Sequence, residues 1–214
     1  MISDILKWGT KRADAPAVGT QAAQGDPPVV PSKGLPKFIA GLSQFDSPLL
    51  LDFGPVIGSN VEFFGERLGC KLFIEDLLAD VERHTRGGTI DAFPDSLAKR
   101  FRHADGSVDG ILCWDIFDFL DKKAAPALAT QIVRMLKPGG IVMGFFCSLP
   151  VANASLTKFE IVDDKSLRHR PHPGSAGPKR VLQNRDIIRM FEGLVVSDSF
   201  LLKSNTREML LRRK

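Results

Sequence analysis

With 214 residues, 43% of them hydrophobic and 25% charged, the chain can bury one sizeable core, and its length argues against two large domains. No apolar run approaches the roughly 18 residues of a membrane span. The opening "MISDILKWGTKRADAP" places no apolar stretch ahead of a small-residue cleavage site, so a soluble cytoplasmic protein with no membrane association is expected. The net charge of +4 is unevenly spread. Lys and Arg against Asp and Glu give +1 over residues 1–35, −5 over 36–164 and +8 over 165–214. A basic C-terminal quarter beside an acidic body suits an anionic substrate, an acidic partner or a solvated face. No aromatics interleave with the basic residues, which disfavours nucleic acid as a partner. Cys70, Cys113 and Cys147 have neither CxxC spacing nor a histidine in a ligand pattern, so free buried thiols and no metal site are expected.

In chain order, Ile2, Ile5, Leu6 and Trp8 suit a short amphipathic helix. Ala13 to Pro36 is rich in Ala, Gly, Pro and Gln without periodicity. Residues 1–34 therefore read as a flexible arm and 35–214 as the folded domain. "KFIAGLSQF" reads as a helix ended by "DSP", and "PLLLDF" as a strand buried on both faces. Then come a glycine turn, the helical "NVEFFGERLG", the strand "CKLFIED", the helical "SLAKRFRH" and the strand "VDGILCWDIF". "KKAAPALATQIVRMLKPGG" is a helix stopped by Pro138 and Gly139, and "IVMGFFCSL" a further strand. Residues 149–180 form an insertion, strand-like at first and then rich in Pro, Gly and His, of the kind that covers a sheet edge as a lid or substrate element. "VLQNRDIIRMFEGL" is an amphipathic helix with Leu182, Ile187, Ile188 and Phe191 on one side. "VVSDSFLLKS" and "REMLLRR" predict a terminal antiparallel strand pair. The alternation of apolar strands with helices predicts an α/β fold, a mainly parallel sheet with helices on both faces.

In such a sheet ligands bind beyond the carboxyl ends of the strands. Those ends carry Asp52 to Gly58, then Glu75 and Asp76, then Trp114 and Asp115. The loop "DFGPVIGSN" does not match a phosphate loop, because Gly54 and Gly58 stand one residue too close and Ser59 replaces the Lys. Nor does it match G-x-G-x-x-G, whose places are held by Gly54, Val56 and Ser59. Neither ATP hydrolysis nor hydride transfer with NAD is expected.

From Leu49 to Lys214 the order resembles the class I S-adenosylmethionine-dependent methyltransferases. Asp52, Gly54 and Gly58 match their first motif, with Val56 where the middle glycine stands, and Glu75 matches the acid that ends the second strand. "GSVDGILCWDIFDFL" followed by "ALATQIVRMLKPGGIVMGFF" is similar to their fourth and fifth motifs, and "EGLVVSDSFLLKSNTREMLLRR" to their closing helix and strand pair. The resemblance implies a Rossmann-like, mainly parallel seven-stranded sheet with a C-terminal antiparallel strand pair. It implies S-adenosyl-L-methionine as cofactor, held by Asp52, Gly54, Pro55, Gly58, Glu75, Asp76, Trp114 and Asp115. It also implies transfer of a methyl group to an acceptor, here a small molecule. Asp91 is a weaker candidate beside the adenine. Asp115 and Asp118, or His169 and His172 of the insertion, are candidates for a base. The competing expectation is a catalytically silent relative that serves as a binding or regulatory module. It draws on Val56 and on the lack of an acceptor motif such as "NPPY".

Overall fold

The computed structural model describes residues 26–214; the amphipathic segment at Ile2–Trp8 and most of the expected arm lie outside the described residues. Strand β1 (Val29–Pro31) leads into α1 (Gly34–Leu42), which buries Leu35, Phe38 and Leu42 at helical spacing. The start of α1 is held by Glu208 from the far end of the chain. Its buried carboxylate accepts the N–H groups of Lys33 and Gly34 at 2.8 and 2.6 Å, satisfying amides that have no partner within a helix.

Strand β2 (Leu49–Asp52) is followed by α2 (Gly58–Val61), which continues as a wider π-helical stretch over Glu62–Arg67. Next come β3 (Lys71–Ile74), α3 (Leu77–Arg86), a 3-10 turn at Ile90–Ala92 and α4 (Phe93–Arg100). Strand β4 (Val108–Trp114), buried throughout, ends in a 3-10 turn at Ile116–Phe119 before α5 (Ala124–Met135) and β5 (Leu136–Cys147). The chain then forms β6 (Val151–Asp163), β7 (Ser166–Lys179), α6 (Asn184–Met190), β8 (Leu194–Leu201) and β9 (Thr206–Arg213).

Six of these strands form the main sheet in the order β3-β2-β4-β5-β9-β8, and β1, β7 and β6 form a separate three-stranded sheet. Strands β3, β2, β4 and β5 are parallel, as the apolar runs predict. Among the described residues the expected seventh strand is not formed. Where an outer strand would follow α3, Gly87 and Gly88 break the chain and it passes through the Ile90–Ala92 turn straight into α4. Strand β3 is thus left as an edge, with Phe73 46% exposed. The terminal pair is antiparallel within itself, but only β9 opposes its parallel neighbour β5, and β8 again runs with the parallel strands.

Two further expectations are corrected. Helix α5 ends at Met135 rather than at Pro138, because the residue before a proline is driven out of the helical region. Lys137 then turns to Asp109, at 2.8 Å, whose other oxygen accepts the N–H of Leu49 at 2.8 Å. The "VDG" and "LKPGG" stretches thus meet at the amino edge of the sheet, fixing the register of β2, β4 and β5. Ile187 of α6 and Phe191 just after it are buried but Ile188 is 54% exposed, since the helix has only seven residues and offers one narrow stripe to the core. The three cysteines are free and buried. Among the described residues no helix is long and apolar enough to cross a membrane.

The insertion is a long β-hairpin, β6 and β7, turned at Asp163–Ser166, where the Asp163 carboxylate accepts the Lys165 N–H at 2.9 Å. It straddles the carboxyl edge of the main sheet. Leu156 joins the core on the α3–α5 face, and Phe159, Ile161 and Leu167 join the core beneath α1.

Candidate functional site

The site begins at the carboxyl end of β2. Asp52 is buried with its Oδ1 turned inward, accepting the Gly54 N–H at 2.8 Å and the Trp114 Nε1–H at 2.6 Å. Burial pushes its pKa up to about 6, against the two hydrogen bonds, which pull it down. Trp114 ends β4 at φ +48°, a backbone region that a bulky side chain rarely enters. That turn lays its indole over Gly54. A Cβ on Gly54 would stand 2.8 Å from the ring, so glycine is required there by close approach rather than by its own torsion angles. Gly54→Ala is expected to displace Trp114 and to lower stability by about 1–3 kcal/mol, read by chemical denaturation together with tryptophan fluorescence.

The loop then turns outward. Val56 is 68% exposed, so its branched side chain neither fills nor lines the space beside Asp52. Val56, Gly58 and Ser59 border a shallow recess of about 300 Å³ that Lys158, Glu160 and Arg170 close from the hairpin. Pro55, with Asp76, Leu78, Ala79, Glu82, Leu156 and Thr157, encloses the cleft at the ends of β2 and β3, and that cleft holds only about 30 Å³.

The acids at the end of β3 are committed in different ways. The Glu75 carboxylate lies 3.3 Å from Arg100 Nε and 3.8 Å from His103 Nε2, and Arg100 also donates to the Glu75 carbonyl oxygen. Glu75 therefore faces α4 and its flank. Asp76 adopts φ +30° and caps α3 by accepting the Ala79 N–H at 3.2 Å, while lining the small cleft. Asp91 is exposed in the 3-10 turn.

Asp115 and Asp118 follow Trp114 and are both buried. Lys179, the last residue of β7, reaches Asp115 Oδ2 at 2.7 Å and Asp118 Oδ2 at 3.5 Å. Asp118 also accepts the Cys147 N–H at 3.0 and 3.2 Å, and among the described residues Asp115 Oδ1 has no hydrogen-bond partner. Burial raises both carboxyls, Asp118 to about 7, with Lys179 acting in the opposite sense. Burial pulls the Lys179 ammonium down, yet the two carboxylates outweigh it and hold it above its ordinary value. His169 packs edge-on against Phe159, with ring centroids 4.9 Å apart, and burial lowers its pKa. The nearby Lys179 cation pulls it the same way. His172 belongs to β7, and its side chain is outside what is described.

Sequence reasoning missed the hairpin's own contributions. Phe159 stacks on Trp114 at 5.2 Å and 5°, and Asn60 grips the same strand by donating to the Phe159 carbonyl at 2.9 Å and accepting the Ile161 N–H at 2.8 Å. Lys179 pins the other end. The signal for Asn60 was a lone polar residue at the start of an apolar helix, too common to read; for Lys179 there was none.

Solved structures show the same arrangement of elements. The PH0226 protein of Pyrococcus horikoshii OT3 superposes with a TM-score of 0.50 at 14% identity, covering 86% of this chain and 93% of that one. The chain shares that protein's doubly wound α/β fold. Further structures resemble it more loosely. They include the 1,6-didemethyltoxoflavin-N1-methyltransferase of Burkholderia thailandensis, with bound 1,6-didemethyltoxoflavin and S-adenosylhomocysteine (TM-score 0.49, 13% identity, 86% and 79% covered). The CcbJ methyltransferase of Streptomyces caelestis is another (TM-score 0.48, 14% identity, 84% and 94% covered). No protein-family profile and no curated protein matches the sequence.

At the strand ends the groups an adenosyl amino acid would need are only partly exposed. Asp76 and Pro55 line the cleft, and the loop from Val56 to Gly58 borders the neighbouring recess, while Trp114 is buried beneath it. The space does not fit while the hairpin lies down. About 30 Å³ holds little more than one water, whereas small-molecule pockets run to about 300–1,000 Å³. Leu156 and Thr157 are the side chains in the way.

Proposed function

We propose that this protein binds S-adenosyl-L-methionine at the carboxyl ends of β2 and β3 and transfers its methyl group to a small-molecule acceptor. The observation that carries this reading is the buried Asp52–Gly54–Trp114 unit, which fixes the glycine loop at the carboxyl end of β2, the edge where this fold takes its ligands. Asp76 and the outward loop to Gly58 would hold the ribose and amino-acid ends of the cofactor, whose contribution is an activated methyl group. Glu75 would act less directly, through the backbone it fixes to β2, where its N–H donates to the Asp52 carbonyl at 2.8 Å.

Binding requires Leu156 and Thr157 to leave the cleft. The hairpin is built for that locally, since three of its four register shifts fall between Val151 and Thr157. Bulged strands pair poorly and bend readily. The rest of the hairpin stays fixed by Asn60, by the Trp114–Phe159 stack and by Lys179. With the acceptor aligned, proximity supplies much of the acceleration for methyl transfer to a good nucleophile. For an acceptor that must lose a proton, Asp118, with a pKa of about 7, is better tuned as a base than an ordinary carboxylate.

Calorimetric titration of the wild-type protein with S-adenosylmethionine and S-adenosylhomocysteine tests the reading. One-to-one binding is expected, and no heat up to about 1 mM would overturn it. The competing reading, a catalytically silent relative that serves as a binding or regulatory module with or without cofactor, predicts no methyl transfer to any acceptor.

A further inference from the structure

A second concavity lies away from that cleft, where α5 and α6 leave a groove of about 970 Å³ between them. Its floor is apolar. Val133, Val181, Leu182 and Met190 line it and are each only half-buried, although three of them also pack against the main core. Single exposed apolar side chains are ordinary, but a contiguous apolar floor in a groove of this size is what a small ligand needs.

The rim supplies charge. Lys122, Arg180 and Arg189 border the groove, and none of the three enters an ion pair among the described residues. The acids beside them are largely committed. Asp121 accepts the N–H groups of Lys123 and Ala124 at 2.9 and 2.7 Å, and Asp186 lies 3.7 Å from Arg185. Glu192 is the remaining carboxylate on the rim. Three cations thus stand beside three carboxylates on the rim, two of them already engaged, and Arg180 and Arg189 belong to the basic C-terminal quarter, which carries +8 over residues 165–214.

We propose that this groove binds a small amphipathic carboxylate, an acyl or aryl acid whose apolar body lies on Val133, Leu182 and Met190 and whose charged end meets the arginine rim. The apolar floor calls for a hydrocarbon body, which inorganic phosphate lacks. A guanidinium fork matches a carboxylate in two parallel hydrogen bonds, which a neutral alcohol cannot reproduce. The groove requires no cofactor, so this proposal stands apart from the methyl-transfer reading.

The probe is dodecanoate, titrated calorimetrically into the full chain below its micelle concentration, with dodecanol and inorganic phosphate as comparisons. One-to-one binding of dodecanoate in about the micromolar range is expected, with dodecanol at least about tenfold weaker and phosphate giving no heat. The double variant Arg180→Gln/Arg189→Gln should weaken dodecanoate by about tenfold or more. Thr130→Trp, at an exposed position bordering the groove, should weaken it by obstruction without removing a charge. Three results would overturn the proposal: no dodecanoate binding up to about 1 mM, equal binding of dodecanol, or affinities unchanged in both variants. A negative cofactor titration would leave these outcomes untouched, so the two readings fail separately.

Discussion

Trp114→Ala is expected to lower the unfolding free energy by about 3–5 kcal/mol, the range for removing a large buried aromatic. The residue is 3% exposed, stacks on Phe159 and meets Phe145 edge-on at 5.8 Å. Its removal leaves a cavity against two rings and takes the indole N–H away from the buried carboxylate of Asp52. Part of the loss is therefore electrostatic. Asp52 without that donor is a costlier buried charge, so the deficit should grow between pH 5 and pH 8. Trp114→Phe would keep much of the packing and lose the hydrogen bond, and should cost clearly less. Urea denaturation of the three proteins at both pH values gives the comparison. A Trp114→Ala loss below about 1 kcal/mol would mean that the ring does not join the hairpin to the sheet.

Lys179→Met is expected to cost about 3–5 kcal/mol at pH 8, because it strands two buried carboxylates around one vanished charge. The sign with pH follows from Asp118. Its folded pKa of about 7 lies above the unfolded value of about 4. The folded state thus holds the proton more tightly, and the stability this gives is complete below about pH 4 and lost as pH rises through about 7. Without the Lys179 cation both carboxyls rise further. The penalty should therefore be smaller at pH 5, below the Asp118 value of about 7, than at pH 8. Thermal unfolding of variant and wild type at the two pH values decides it, and an equal deficit at both would contradict the Asp115–Lys179–Asp118 assignment.

The parallel half of the sheet was legible because apolar runs such as "PLLLDF" and "VDGILCW" are too short for helices and are buried on both faces. Helix α3 was legible in principle. Asp76 followed by Leu77, Leu78 and Val81 is an N-cap ahead of a helical stripe, and α3 uses it so. What stayed hidden was long-range. Nothing near Asp52 in sequence says that its carboxylate turns inward to Trp114, 62 residues away. Nothing near Glu75 points to Arg100 at the end of α4, 25 residues on. The second hairpin strand, with Pro171, Pro173, Gly174, Gly177 and Pro178, contradicts local propensity; tertiary pairing with β6 overrides it. Val56, the departure in the glycine loop, points to solvent, so its bulk has no bearing on the cleft.

The central claim, a cofactor site beneath the hairpin at the ends of β2 and β3, is tested most directly by Leu156→Ala titrated with S-adenosylhomocysteine beside the wild type. Removing a side chain that occupies the cleft should lower thermal stability, as a buried Leu→Ala change does by about 2–5 kcal/mol. It should also strengthen cofactor binding about tenfold, since less of the binding energy goes into displacing the hairpin. An affinity unchanged or weakened in a folded Leu156→Ala protein would contradict the site.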